Sequence, residues 1–175
     1  MVKTIFEGKQ VLVLEHDGWE FVERTKAKEA VVVIATTEAG AVILTEQFRR
    51  PVEARVIDFP AGLVGDEEDH EDAEETALRE LQEETGYSCD NIELITSGPT
   101  SPGITSEIVS LYRAHGVTRT GKGGGVGGED ITVHEVPVAD APRWLAAKMA
   151  AGYSMDPKLW AGLWLLDRDP DGSPA

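Results

Sequence analysis

The spacing of glycines and acidic residues over positions 65–87 constrains the fold of this chain more than any other stretch. The segment reads GDEEDHEDAEETALRELQEETGY. It predicts a helix over residues 71–85, because Asp69 is a suitable N-cap, acidic residues crowd the first turn and Gly86 suits the position after the last turn. The side chains that this helix presents predict its chemistry.

Three carboxylates of the predicted helix share one face. Residues three and four positions apart are neighbours on a helix, so Glu80, Glu83 and Glu84 lie side by side. Like charges this close repel each other, and a bound Mg²⁺ or Mn²⁺ relieves the repulsion through the oxygen ligands that such ions prefer. The predicted apolar stripe beside them comprises Ala73, Ala77, Leu78 and Leu81.

Arg79 is predicted to brace one of these carboxylates through a forked ion pair. Taken alone, an acidic helix of this kind is usually a solvated surface. The complete spaced pattern is more specific, since its seven fixed positions match by chance on the order of 10⁻⁷ to 10⁻⁸ per start point. Those positions are Gly65, Glu71, Arg79, Glu80, Glu83, Glu84 and Gly86.

Composition limits the class of protein. The chain has 175 residues, of which 41% are apolar, enough for one domain with its own core. Its net charge of −16 argues against DNA or RNA as a partner, because little is available to neutralise a phosphate backbone. Cys89 is the single cysteine, so no internal disulfide forms and a cytoplasmic location is predicted. The sequence shows neither a membrane-spanning apolar run nor a signal peptide, so no membrane association is expected.

Alternating apolar residues and turn signals predict several strands and helices. One hairpin is predicted over residues 9–24 with its turn at 17–18, and a second joins residues 29–36 to 41–48. Further strands are predicted at 56–59, 92–96, 108–115 and 131–137, with helices at 141–151 and 157–167. Strands with interspersed helices indicate an α/β or α+β sandwich.

The spaced pattern resembles the Nudix box, the metal-binding strand–loop–helix–loop of Nudix hydrolases. In relatives the box glycine follows Pro-Ala, which here is the run Pro60-Ala61-Gly62, whereas the strict spacing points to Gly65. A three-residue insertion within 64–69 would reconcile the two and make Gly62 the structural counterpart. The resemblance implies the Nudix fold, an α/β (α+β) architecture with a mixed central sheet sandwiched between helices and a small N-terminal antiparallel sheet.

The resemblance also implies a metal centre. Mg²⁺, or alternatively Mn²⁺, would be held by Glu80, Glu83, Glu84 and the carbonyl oxygen of Ala61, with two or three ions present. Glu83 and Arg79 are then implied in catalysis as well.

Residues 10–167 further resemble the ADP-ribose pyrophosphatase branch of this family. The implied organisation is a dimer-forming N-terminal β-sheet region over residues 1–25, a Nudix hydrolase domain over 26–168 and a mobile tail over 169–175. Arg49 matches an arginine that contacts the substrate, and a guanidinium suits a phosphate; a plain surface arginine is the alternative. Asp58 stands where relatives carry a glutamate with a sugar-contacting or dimer role, and its side chain is shorter.

Three further positions match that branch. Pro102 lies 16 residues after Gly86, a spacing that goes with ADP-ribose activity in relatives, although a Ser-Pro-Gly turn also explains it. Glu107 matches a residue near the terminal ribose. Trp19 matches aromatic residues that stack on adenine at the dimer seam, with an edge-strand aromatic as the alternative.

The segment 121–128, GKGGGVGG, precedes two carboxylates. A flexible linker is one interpretation, and a mobile loop that brings a carboxylate to the metals is the other. Relatives have an acidic residue here, which implies Glu129 as the general base. Asp130 is the second candidate, and Glu83 or Glu84 remain alternatives.

These residues together predict an enzyme that hydrolyses the diphosphate of ADP-ribose to AMP and ribose 5-phosphate. The partner is then a small nucleoside diphosphate derivative, and a homodimer is implied. A pyrophosphatase of nucleotide sugars, such as GDP-mannose or ADP-sugars, would use the same residues with a different pocket. A non-catalytic nucleotide sensor and a plain acidic globular protein are the alternatives from other classes.

Overall fold

The computed structural model describes residues 1–27, 29–65 and 71–175. Its strands in chain order are β1 (Lys3–Glu7), β2 (Val11–His16), β3 (Trp19–Arg24), β4 (Glu29–Ala35), β5 (Ala41–Arg49), β6 (Ala54–Asp58), β7 (Ala61–Leu63), β8 (Tyr87–Ser88), β9 (Asn91–Pro99), β10 (Ile108–His115), β11 (Thr118–Arg119), β12 (Ile131–Pro137) and β13 (Ser154–Met155). Its α-helices are α1 (Ala73–Thr85), α2 (Ala141–Ala150) and α3 (Lys158–Trp164). Within these described ranges, no helix is long and apolar enough to cross a membrane.

Two mixed sheets and a smaller antiparallel sheet form most of the fold. The N-terminal sheet has the order β1-β2-β3, and the predicted turn at Asp17 and Gly18 joins β2 to β3 with both residues at positive φ. The first mixed sheet has the order β7-β4-β10-β9, and the second has the order β12-β5-β6-β13. Each contains one parallel pair, β4 with β10 and β6 with β13. The predicted fold class is confirmed, with its mixed strands divided between two sheets.

The second predicted hairpin is wrong. Its turn forms, because the Gly40 N–H donates to the Thr37 carbonyl oxygen at 2.9 Å. Beyond a single bridge between Thr36 and Val42, however, β4 and β5 enter different sheets. Both strands are buried apolar runs, and such runs fit many partners without indicating which one they pair with.

The strand β4 lies between two parts of the core. Its residues Val31 and Val33 pack with the buried face of α1, whereas Val32 and Ile34 pack with the buried residues of α2 and α3. Alternate residues of a strand point to opposite faces, so both faces of β4 are covered. This explains the unbroken apolar run in the sequence.

The helix α1 begins two residues later than predicted. Asp72 is its N-cap and forms a capping box with Glu75: Asp72 Oδ1 accepts from the Glu75 N–H at 2.9 Å, and Glu75 Oε2 accepts from the Asp72 N–H at 3.4 Å. Asp69, the predicted N-cap, lies outside the described residues. Gly86 ends the helix as predicted, with a φ of 76°.

The buried face of α1 differs from the predicted stripe at one position. Ala77 and Leu81 are fully buried, but Leu78 is 36% exposed. An α-helix turns by about 100° per residue, which places Leu78 about 100° away from Ala77 and Glu84 within about 20° of it. The stripe that enters the core therefore contains a carboxylate, which is 5% exposed.

The last two helices lie near their predicted positions. α2 ends one residue earlier than predicted and α3 ends at Trp164, three residues earlier. The chain beyond α3 is tied back to β10 by Arg113, whose guanidinium donates to the carbonyl oxygens of Leu165 and Arg168. The mobility predicted for residues 169–175 stays a prediction.

Candidate functional site

The carboxylates of α1 lie against the strand β7. Glu84 Oε2 accepts a hydrogen bond from the Ala61 N–H at 3.0 Å. A Cβ atom built on Gly62 would lie 2.0 Å from Glu80 Oε1, so only glycine leaves room for this carboxylate. Gly65 has a φ of 77°, and a Cβ built on it would meet nothing within 4 Å. Gly62 is therefore the glycine that packs on the helix, and Gly65 serves the backbone of the loop.

The two glycines are expected to respond differently to alanine. Gly62→Ala should displace Glu80 and weaken Mg²⁺ binding by about tenfold or more, as losses around metal ligands do. Gly65→Ala should lower the free energy of unfolding by about 1 kcal/mol, because its positive φ is unfavourable for alanine, and should leave Mg²⁺ affinity unchanged. Calorimetric titration with Mg²⁺ and urea unfolding separate the two effects; equal Mg²⁺ affinities would contradict the contact of Gly62 with Glu80.

Arg79 holds the acidic face together. Its Nε and Nη2 donate to the two carboxylate oxygens of Glu71 at 2.9 and 3.0 Å, a forked pair. Its Nη1 donates to Glu80 Oε1 at 2.9 Å and to Glu83 Oε2 at 3.0 Å. Glu71 also accepts from the Thr76 hydroxyl at 3.0 Å. A fixed guanidinium thus sets the positions of two predicted metal ligands.

Burial raises the pKa of two of these carboxyl groups. Burial raises the pKa of Glu80 to about 7, and the charges of Glu83 and Glu129 add to this shift, while Arg79 opposes it. Burial raises the pKa of Glu84 to about 8; the charges of Glu80 and Glu129 add to it, while the Ala61 N–H and Arg49 oppose it. A bound cation would stabilise the ionised form of both carboxyls and so oppose the effect of burial.

The raised pKa values predict how Mg²⁺ and pH act on stability. Between the unfolded pKa of 4.5 and the folded values of about 7 for Glu80 and about 8 for Glu84, the folded state binds more protons. The free energy of unfolding in EDTA should therefore fall as the pH rises from about 5 to 8. Mg²⁺ should raise the melting temperature more at pH 8 than at pH 5.5, because protons compete for its ligands.

A matched control separates this effect from other buried acids. Burial also raises the pKa of Asp58 to about 7. Asp58→Asn should flatten the pH dependence in part and leave the response to Mg²⁺ intact, whereas Glu84→Gln should reduce both. Thermal melts at the two pH values provide the measurement, and a Mg²⁺ response independent of pH would contradict the assignment of Glu84.

The donor set of α1 fits a magnesium centre. Carboxylate oxygens within one helical turn are ligands that Mg²⁺ prefers, and the space left by Gly62 admits the Glu80 side chain to that cluster. Among the side chains that the structure describes, no three acidic, His or Cys groups are already arranged around a common point. The hydrogen bonds explain this, since Glu80 and Glu83 are turned toward Arg79 and Glu84 toward Ala61.

The glycine-rich segment 121–128 is docked on the C-terminal end of α1. The Gly124 N–H donates to the Glu84 carbonyl oxygen at 2.8 Å, and the Gly125 N–H donates to the Glu83 carbonyl oxygen at 3.0 Å. A Cβ on Gly123 would lie 2.3 Å from the carbonyl carbon of Thr85, so the loop approaches the helix too closely for a side chain. The loop therefore satisfies carbonyl groups that a helix leaves free at its end.

The docked loop places Glu129 beside the acidic face. The charge of Glu129 contributes to the raised pKa of both Glu80 and Glu84. Its Oε2 accepts from the Val126 N–H at 3.2 Å. A cavity of about 520 Å³ opens at this point, and its lining includes Lys122, Glu129, Asp130 and Thr132.

Trp19, predicted to stack on adenine, and Pro102, whose spacing predicts ADP-ribose activity, lie close together. Trp19 and Pro102 line the same cavity of about 290 Å³ with His16 and Phe21. The indole Nε1 of Trp19 donates to the Gly103 carbonyl oxygen at 3.4 Å, and the residue is 62% exposed. An exposed aromatic face beside a proline suits a flat ring as ligand.

The remaining predicted substrate residues lie in different surroundings. Arg49 ends β5 near enough to Glu84 for its charge to oppose the rise in that pKa. Glu107 accepts from Arg24 Nε at 2.6 Å and so links the N-terminal sheet to the loop before β10. Asp58 is placed at α3, where Lys158 Nζ lies 3.5 Å from its Oδ2.

A charge cluster around the buried carboxylate of Glu46 lies next to the site and was not predicted from the sequence. Glu46 on β5 contacts His134, Lys148 and Arg55, and Arg55 also contacts Asp130. A charged residue two positions after the apolar run 41–44 is a signal for such a cluster, because a buried carboxylate requires partners.

The chain is similar to several known proteins. A model of the NUDIX domain matches residues 26–156. The chain is 35% identical over 157 residues to the methanol dehydrogenase activator of Bacillus methanolicus, covering 84% of this chain and 83% of that protein. It is 45% identical over 92 residues to the ADP-ribose pyrophosphatase of Bacillus subtilis (strain 168), covering 53% and 48%. The crystal structure of an ADP compounds hydrolase has a TM-score of 0.62 at 19% identity, covering 87% and 92%, a likeness of fold alone.

Proposed function

The chain belongs to the NUDIX family, because the model of that domain matches residues 26–156, and on this premise we propose that it is a Mg²⁺-dependent hydrolase of ADP-ribose. The observation that carries the proposal is the acidic face of α1. Glu80 and Glu83 share the guanidinium of Arg79, and Glu84 is held by the strand that carries Ala61. Nucleoside diphosphate hydrolysis is the chemistry that such a face serves best.

The roles of the residues follow from their positions. Glu80, Glu83, Glu84 and the Ala61 carbonyl oxygen would hold Mg²⁺, which when bound neutralises the diphosphate and makes an attacking water more acidic. Glu129, beside this face, takes the proton from that water as the oxygen attacks phosphorus. The bond between phosphorus and the bridging oxygen breaks, giving AMP and ribose 5-phosphate. Arg79 contacts one carboxylate oxygen of Glu80 and one of Glu83, and the other oxygen of each would bind the ion.

Two further groups are proposed to bind the substrate. Arg49, whose charge acts on Glu84, contacts a phosphate through its guanidinium fork. Trp19 and Pro102 share a cavity that suits the adenine ring. The roles of Asp58 and Glu107 at the sugar stay predictions, because both side chains are engaged with cations, Lys158 and Arg24.

A substrate panel tests the proposal directly. Phosphate release is measured in a coupled phosphatase assay with ADP-ribose, ADP-glucose, GDP-mannose, NADH and diadenosine polyphosphates, in Mg²⁺ or in EDTA. We expect ADP-ribose to be preferred and EDTA to abolish turnover. A preference for GDP-mannose would retain the mechanism and replace the substrate. Binding of ADP-ribose with no turnover of any compound would identify a sensor.

A second candidate function comes from similarity over most of the chain. The alignment with the methanol dehydrogenase activator covers 83% of that protein at 35% identity. We therefore propose as the alternative that this chain raises the activity of a methanol dehydrogenase. The test adds the purified chain, or its Glu83→Gln variant, to the dehydrogenase and follows the rate of methanol oxidation. Activation by the parent chain but not by Glu83→Gln would show that activation depends on the acidic face of α1. No activation by either would exclude this second function.

A homodimer formed through the N-terminal sheet is proposed as well. The sheet exposes Ile5, Phe6, Val11 and Trp19, which are 36% to 62% exposed. Apolar side chains on one small sheet suit burial against a second copy. Sedimentation equilibrium of the parent chain and an Ile5→Ser/Phe6→Ser variant tests this, and identical masses would contradict it. A cytoplasmic location remains a prediction from the single Cys89.

A further inference from the structure

A buried carboxylate anchors the second mixed sheet. Glu46 on β5 has a side chain only 7% exposed, and its Oε2 accepts from His134 Nε2 at 2.9 Å and from Lys148 Nζ at 3.0 Å. The ammonium of Lys148 lies 5.0 Å from the Trp144 ring and 4.3 Å from the Tyr153 ring. The Lys148 ammonium of α2 and the His134 ring of β12 therefore hold this carboxylate in place.

Arg55 connects this fixed carboxylate to the glycine-rich segment. Its Nη1 donates to Glu46 Oε1 at 3.1 Å, and its Nη2 donates to Asp130 Oδ2 at 2.6 Å. Arg55 lies on β6, Glu46 on the neighbouring β5, and Asp130 directly before β12, which flanks β5 on the other side. The guanidinium thus spans the sheet and uses its fork to join two carboxylates.

Asp130 stands at the point where the segment 121–128 returns to the sheet. That segment has positive φ at Gly123, Gly124, Gly125, Gly127 and Gly128, conformations that glycine adopts at little steric cost. Its middle is held to α1 by backbone hydrogen bonds, and its end is held by the side chain of Asp130. Glu129 lies between these two attachments.

We propose, resting on the function proposed above, that Arg55 is a positioning residue that anchors Asp130 and thereby fixes Glu129 beside the acidic face of α1. Glu46 is the fixed point from which it acts, because His134 and Lys148 keep that carboxylate in place after Arg55 is changed. Asp130 is on this view an anchor and not the general base. The side chain of Asp130 is 76% exposed, so its position depends on this partner.

The first arm of the test measures the loop without using activity. Amide hydrogen exchange of peptides covering residues 121–130 is compared for the full-length parent, Arg55→Met, Asp130→Asn and the double variant. We expect each single change to speed exchange by about tenfold and the double variant to match either single one, because both remove the same contact. Arg143→Met is the matched control, since it removes the exposed ion pair that Arg143 of α2 makes with Asp140, the residue before that helix.

The second arm measures hydrolysis of ADP-ribose. Arg55→Met should lower kcat by about 10- to 100-fold, as groups that orient catalytic residues do, with KM changed less than about threefold. Arg55→Lys, which offers a point charge in place of a fork, should recover part of the rate. Arg143→Met should match the parent in both arms.

The possible outcomes distinguish failure of the Arg55–Asp130 anchor, failure of its link to Glu129 and failure of the proposed function. Unchanged exchange in Arg55→Met would overturn the anchor, and faster exchange with unchanged kcat would overturn its link to Glu129. Loss of turnover in Asp130→Asn alone, with Arg55→Met fully active, would make Asp130 the base and overturn the proposal. A parent chain that hydrolyses nothing in the panel would overturn the proposed function. Amide hydrogen exchange alone would then show whether Arg55 anchors Asp130.

Discussion

Replacing Glu83 with glutamine is expected to lower kcat for ADP-ribose hydrolysis by roughly a thousandfold, the scale on which a lost charge-stabilising group acts. The amide keeps nearly the same shape and its oxygen can still accept from Arg79 Nη1, which lies 3.0 Å from Glu83 Oε2. The negative charge that draws Mg²⁺ to this face is removed. Steady-state rates over a range of Mg²⁺ concentrations provide the measurement.

The control for this variant is Glu74→Gln on the same helix. Glu74 is exposed in the first turn of α1, so its loss costs only a weak interaction with the helix dipole, about 0.3–1 kcal/mol. Glu83→Gln and Glu74→Gln should therefore have similar melting temperatures in EDTA and very different rates. Near-normal turnover by Glu83→Gln would remove Glu83 from the metal centre.

Local signals in the sequence were sufficient for most elements of this fold. The turn at Asp17 and Gly18 forms as predicted, and the strands β10 and β12 have the predicted bounds. These elements are determined by short-range chemistry, namely positive φ in a tight turn and apolar residues in a strand. The end of α1 is equally local, because Gly86 takes the left-handed conformation that stops a helix.

The partners of the strands could not be predicted from local signals. The runs of β4 and β5 have the pattern of a hairpin, yet β4 pairs with β10, about 80 residues away, in parallel. A strand buried on both faces carries no alternation that would specify its neighbour. Partner choice is then set by the packing of α1 on one side and of α2 and α3 on the other.

Part of the candidate site is likewise predictable from local spacing, and part depends on strand order. Glu80, Glu83 and Glu84 follow from helical spacing alone, because the three residues lie within one turn. The cluster of Glu46, Arg55 and Asp130 does not follow, since its members come from three separate strands or strand ends and meet only when β12, β5 and β6 are ordered. The choice between Gly62 and Gly65 likewise required the distance to Glu80.

Replacing Glu129 with glutamine is expected to lower kcat by about 10²- to 10³-fold, because a general base contributes on this scale. KM for ADP-ribose should change by less than about twofold, since the base acts on the attacking water and adds little to substrate binding. The contact with the Val126 N–H survives in the variant, because a glutamine oxygen also accepts a hydrogen bond. Initial rates over a range of ADP-ribose concentrations give both constants.

The matched change for this variant is Glu135→Gln on β12. Glu135 accepts from Arg119 Nη1 at 3.0 Å on an exposed part of the strand, so its loss should leave both constants unchanged. A raised KM with an unchanged kcat in Glu129→Gln would make Glu129 a substrate contact and return the base to Glu83 or Glu84. A fall in kcat with an unchanged KM fits a carboxylate held where the segment 121–128 meets the acidic face of α1, because a carboxylate there can accept the proton of the attacking water.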